Sequence, residues 1–132
     1  MPTELGELKG ITAEIAAALR AMQITDSSRL YAATRQPRAR AELAAALGID
    51  EQIIVTLANC ADLMRVPGVA GVYLDLLEWS GVDSVMELQR RAPENLCAQM
   101  MTMALNHAIS QIPRLDEVRR WVRQAKQLQA NK

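Results

Sequence analysis

The residues of this chain with the clearest chemical potential are two glycines set in one repeated phrase. Leu5-Gly-Glu-Leu8-Lys9-Gly10-Ile11-Thr12 and Leu63-Met-Arg65-Val66-Pro-Gly68-Val69-Ala70 both read Leu-x-x-h-x-Gly-h-x, with h apolar. A tight turn running straight into a helix leaves the first backbone N–H groups unpaired at the positive end of the helix dipole. A glycine there lets an anion come close to them. The chemistry on offer is the grip of a phosphate by main-chain amides, helped by Lys9 at the first glycine and Arg65 at the second. The same phrase also makes a plain corner between two helices, and that architectural reading stands beside the chemical one.

The other reactive residue types are scattered. Arg35, Arg38 and Arg40 surround the turn at Pro37, and Arg90 and Arg91 occupy the equivalent region after the second phrase. With Arg114, Arg119, Arg120, Arg123 and Lys126 they could track a phosphate backbone without reading bases. Solvated helix faces carry such runs too, and Asp116 and Glu117 are spaced to pair with Arg120. His107 is the single histidine, and its neighbours Asn106 and Ser110 form no nucleophile arrangement. Walker and dinucleotide fingerprints are missing. The expectation is no enzyme, no cofactor, no metal site and no small-molecule substrate. Cys60 and Cys97, 37 positions apart, match neither a metal-ligand spacing nor a disulfide framework and read as buried thiols. Met100, Met101 and Met103 either fill a core or form an adaptable docking surface, depending on their exposure.

The elements that must position these residues are written twice. At a fixed offset of 58, Leu19 aligns with Leu77, Ile24 with Val82 and Leu30 with Leu88. A unit of 58 residues has a marginal core by itself, so the copies are expected to share one. Phe is absent, and two Trp, two Tyr and seven Met leave a core of Leu, Ile, Val, Ala and Met suited to close helix packing. Fifteen basic residues balance fifteen acidic ones, so no whole-molecule field draws an anionic partner.

Periodicity is helical throughout. Thr12 can cap a helix whose stripe is Ile15, Ala18, Leu19 and Met22. Thr25 to Ser28 start a short helix bearing Leu30 and Tyr31, Pro37 opens a third that Gly48 ends, and Asp50 caps a fourth through Leu57. In the second copy Val72, Tyr73, Leu76 and Leu77 form the stripe, Gly81 closes it, and Ser84 with Glu87 has the form of a capping box. Pro93 opens a helix at 94–109 whose apolar residues spread around its circumference, marking it as the most buried. A degraded third copy, Ile109 to Asp116, has Arg114 in the glycine's place. Asp116 can cap a last helix with Val118, Trp121, Val122, Ala125 and Leu128 inward and Arg119, Arg123 and Lys126 outward.

The fold expected is all-α, a single domain over 1–132. It comprises pseudo-repeats at 5–60 and 61–110 sharing one core, with a C-terminal helix at 114–129 packed across them. The N-terminus lacks the basic and apolar regions of a signal peptide, and no stretch approaches the ~20 apolar residues of a membrane span. A soluble cytoplasmic protein without a membrane partner is expected.

Gly68-Val-Ala-Gly-Val-Tyr73-Leu-Asp-Leu-Leu77, Gly81 to Leu88, and Pro113-Arg-Leu-Asp-Glu-Val-Arg-Arg-Trp121-Val resemble a bacterial domain-of-unknown-function family. Its members are tandem helix-hairpin-helix-like proteins. The resemblance covers nearly the whole chain, most specifically Ala61 to Lys126, and implies a compact all-helical fold with no known activity. The Leu-x-x-h-x-Gly corner is also distantly similar to the C-terminal domain of the RNA polymerase alpha subunit, which binds DNA and regulators. In the nucleic-acid-binding form of the hairpin a second glycine follows the first after one apolar residue; Thr12 and Ala70 stand in its place here.

Two functions follow as expectations. The first is a non-catalytic module holding nucleic-acid backbone without sequence specificity, through Lys9, Gly10, Thr12, Arg35, Arg38, Arg40, Arg65, Gly68, Ala70, Arg90 and Arg91. The alternative is a protein-interaction or self-association module in which the hairpins are corners and an apolar helix face stays open. Arginines converging beside both glycines favour the first; arginines scattered and paired with acids favour the second.

Overall fold

A computed structural model describes Leu5, Leu8 and residues 11–130. Among these residues every regular element is a helix: α1 (Ala13–Ala21), α2 (Ser27–Ala33), α3 (Pro37–Leu47), α4 (Glu51–Leu63), α5 (Val72–Trp79), α6 (Val85–Gln89), α7 (Pro93–Asn106) and α8 (Leu115–Ala130). The all-α expectation holds. The chain divides into two compact units, Met1–Arg65 and Val66–Lys132. α4 runs on to Leu63, so the leucine that opens the second phrase is the last residue of a helix.

In the first unit α4 packs on α2 and α3, and α3 touches α1. The helices begin where side chains can take up the donors that a first turn leaves unpaired. Thr12 Oγ1 accepts from Ile15 N at 3.2 Å, Asp26 Oδ1 from Arg29 N at 2.8 Å, and Asp50 Oδ1 from Gln52 N at 2.8 Å. Each such cap stabilises its helix by ~1 kcal/mol. Pro37 starts α3 without a side-chain cap, and Gly48 ends it in the left-handed conformation at φ +68°.

In the second unit α7 packs against α5 and α8, and α8 also packs on α6. Trp121, Val118, Val122 and Ala125 turn inward from α8 as their spacing requires. Three expectations change here. The helix set at 94–109 ends at Asn106 and is not the most buried: four of its fourteen residues are buried, against six of thirteen in α4. Its apolar residues spread around the helix because one apolar side stays uncovered. Asp116 lies inside the first turn of α8 rather than capping it, and Glu117 Oε1 instead accepts from Arg114 N at 3.0 Å. Ser84 Oγ does accept from Glu87 N at 3.1 Å, but the Glu87 carboxylate lies 3.7 Å from Arg90 rather than returning to Ser84.

The offset of 58 reaches into the backbone. Ile24 N donates to Leu19 O at 2.9 Å and Gln23 N to Arg20 O at 3.0 Å; Val82 N donates to Leu77 O at 2.8 Å and Gly81 N to Glu78 O at 3.0 Å. The pivot of this turn has positive φ in both units, +67° at Gln23 and +88° at Gly81. Glutamine has a Cβ that this conformation crowds, and glycine does not. Gln23→Gly is therefore expected to raise stability by ~0.5–1 kcal/mol, seen as a higher urea midpoint at unchanged slope. A lower midpoint would show that the Gln23 side chain contributes more than the strain it imposes.

Candidate functional site

Lys9 and Gly10 lie outside the described residues. Thr12, at the N-cap of α1, already spends its hydroxyl on Ile15 N, which occupies one of the donors a phosphate would use. At the second hairpin Gly68 has φ +90°, and a Cβ built there would meet Trp121 Nε1 at 3.2 Å. This glycine is thus required by the backbone's handedness and by a side chain of α8 pressed against the turn. Ala70 is exposed, and Tyr73 N donates to its carbonyl at 3.2 Å as α5 begins. The Trp121 ring also lies 5.2 Å from that of Tyr73, tilted by 57°.

The arginines hold structural posts. Arg65 Nη2 reaches Asp62 Oδ1 at 2.7 Å, and its guanidinium carbon lies 4.2 Å from the centre of the Tyr31 ring. Arg35 approaches the same ring at 5.5 Å, so two cations share one aromatic seat. Arg40 donates to the carbonyl of Thr34, the C-cap of α2, at 2.8 Å, and Arg91 donates to that of Ser80, the C-cap of α5, also at 2.8 Å. These are the carbonyls a helix end leaves unpaired, and a cation there also opposes the negative end of the dipole. Arg91 further donates to Gln99. Arg38 pairs with Glu42 at 2.9 Å and Arg90 with Glu87 at 3.7 Å. The expected pairing of Arg120 with Asp116 or Glu117 is replaced by one between Arg114 and Asp116 at 3.5 Å. Asp116 sits close to Arg114 because the helix starts at Leu115, two residues earlier than a cap at 116 would allow.

Of the remaining reactive side chains, His107 is exposed and the two cysteines are buried. His107, the C-cap of α7, stacks on Trp79 with ring centres 3.6 Å apart and planes at 8°. Cys60 and Cys97 are buried free thiols, and Cys97 Sγ points to the carbonyl of Pro113 at 3.9 Å. Burial pushes the Cys97 thiol up, so the reactive thiolate is scarce at neutral pH.

Two surfaces of the second unit stay open. On α7, Ala98, Met101 and Leu105 are exposed at spacings of three and four, and Leu105 retains 81 % of its surface. No charged residue occurs on that helix from Asn95 to Asn106. On α8, Arg119, Arg120, Arg123 and Lys126 are exposed on the side turned from the core, and Arg120, Arg123 and Lys126 form no ion pair among the described residues.

Over residues 9–128 the chain matches the family described as Domain of unknown function (DUF4332). The chain belongs to the DUF4332 family. A search of the curated proteins and one of the solved structures each found no match. In this DUF4332 chain no helix of the described residues is long and apolar enough to cross a membrane. Two features of the surface escape a reading of the sequence. Tyr31 has one local signal, the helical spacing to Arg35, but none that announces Arg65. Leu105 lies four residues after Met101, a spacing that core and surface stripes share.

Proposed function

We propose that this DUF4332 domain is a non-catalytic self-association module in which two copies pair through the open face of α7. The observation that carries the reading is Leu105, 81 % exposed at the C-terminal end of a helix face that has no charge after Glu94. An isolated exposed leucine is ordinary, but a stripe of Ala98, Met101 and Leu105, with the one charge of α7 at Glu94 a turn before Ala98, has the composition of an interface centre. The stripe is also self-complementary. A two-fold axis between Met101 and Thr102 sets Leu105 of each copy against Ala98 of the other, large against small, as isologous pairing needs. Balanced charge removes the net repulsion that would oppose two identical chains.

The arginine contacts favour the same reading over the hairpin grip. Arg38, Arg65 and Arg90 pair with acids, and Arg40 and Arg91 finish helix ends. Burying one leucine contributes ~1.5–3 kcal/mol, so a single charge at its position is enough to separate the copies. Light scattering on a size-exclusion column is expected to show a concentration-dependent dimer for the native chain and a monomer for Leu105→Glu with unchanged helical circular dichroism. A native chain that stays monomeric at its highest soluble concentration would refute the pairing.

A further inference from the structure

A shallow groove of about 500 Å3 runs between the first turn of α7 and the outer side of α8, and its walls are unequal in charge. Pro93 and Glu94 line one side, and Arg119, Val122, Arg123 and Lys126 the other. Glu94 is engaged with Arg119 at 3.6 Å. Arg123 and Lys126 face the groove with no ion pair or hydrogen bond among the described residues.

This arrangement opposes what a helix would choose for its own stability. Arg119 and Arg123 are four apart, and Arg123 and Lys126 three apart, spacings at which like charges repel by ~0.2–0.5 kcal/mol per pair. No acid follows Glu117 along α8 to dilute them. The helix dipole does not account for them either, because its influence is confined to the last turn, where α8 has no basic residue. The chain as a whole is neutral, so the cluster is a local excess of positive charge rather than a general property. At a rise of ~1.5 Å per residue, Arg119, Arg123 and Lys126 spread over ~10 Å of helix, which is longer than one phosphate group.

We infer that this groove binds a chain of linked phosphates, with Arg123 and Lys126 as the principal contacts and Arg119 recruited from Glu94. The linked phosphates belong either to a single-stranded nucleic acid or to a free polyphosphate. The chemistry is shared, and Val122 and Pro93 give the sugar or base of the former an apolar wall. The site is separate from the hairpin glycines and from the α7 face, and does not depend on pairing of the chains.

The test uses the full chain at low salt, with a fluorescein-labelled thymidine oligonucleotide followed by anisotropy and inorganic tripolyphosphate followed by calorimetry. The variant Arg123→Gln/Lys126→Gln removes two exposed cations and no internal contact. It is expected to weaken binding at least ~10-fold and to reduce the salt slope by ~1.4 for a single strand, two contacts at ~0.7 each. Arg38→Gln removes one exposed, acid-paired cation from the other unit and is expected to bind as the native chain does. Oligonucleotide binding lost in the double variant assigns the groove to nucleic acid, and tripolyphosphate binding alone, lost likewise, assigns it to a free polyphosphate. Failure to bind either probe, an unchanged affinity and salt slope in the double variant, or an equal loss in Arg38→Gln would overturn the inference.

Discussion

Trp121→Ala is expected to destabilise the protein by ~3–5 kcal/mol, enough to unfold much of the second unit at ambient temperature. Trp121 is the largest of the fully buried side chains and has no exposed surface. It fills the space between α8, the Tyr73 ring and the Gly68 turn, so truncation removes the centre of the packing and leaves a cavity that three elements cannot close together. Urea unfolding followed by helical circular dichroism measures the loss. The companion Trp121→Phe sharpens the argument. Among the described residues the Trp121 indole N–H has no hydrogen-bond partner, so phenylalanine forfeits volume but no hydrogen bond. Its cost is expected to be less than half that of alanine; an equal cost would show that the N–H is satisfied after all.

Gly68→Ala is expected to cost ~2–3 kcal/mol, from two sources that a second glycine separates. At φ +90° any Cβ is strained, and at Gly68 that Cβ also lies 3.2 Å from Trp121 Nε1. Gly48, at φ +68°, has no heavy atom within 4 Å of its Cβ position, so Gly48→Ala carries strain alone, ~1 kcal/mol. The excess at Gly68 measures the close approach of α8. Because phenylalanine lacks Nε1, the penalty of Gly68→Ala should shrink by ~0.5 kcal/mol or more in a Trp121→Phe background, read from a double-mutant cycle. If both glycines cost the same, Trp121 is not the reason for Gly68, and the hairpin glycine regains its claim as a phosphate seat.

Most of the fold is legible along the chain because its determinants are local. Thr12, Asp26, Asp50 and Ser84 each accept from an amide two or three residues ahead, and the turns after α1 and α5 close through bonds spanning five residues. A short window contains both partners, so the pattern of letters already contains the helix ends. At the start of α8 two carboxylates compete within one turn and Glu117, not Asp116, takes the Arg114 amide; at α6 the Glu87 carboxylate goes to Arg90 rather than back to Ser84.

The candidate site was legible only as a list of residue types. Arg65 looks from its position like a hairpin cation, yet it stacks on Tyr31, 34 positions earlier. Gly68 looks like a phosphate seat, and the atom that explains it belongs to Trp121, 53 positions later. Met101 and Leu105 share the spacing of Cys97, Met100 and Ala104, and only the packing of α5 and α8 against α7 buries the latter and leaves the former open.

The sequence by itself determined the helices, the caps at Thr12, Asp26, Asp50 and Ser84, the doubled turn and the inward face of α8, because backbone hydrogen bonds and helical periodicity act over a few residues. Tertiary structure alone decided that Arg65 stacks on Tyr31 and Arg119 meets Glu94, why Gly68 is a glycine and which face of α7 is bare. Those depend on side chains meeting across tens of residues, where burial and charge pairing are set by the elements that happen to be neighbours in space.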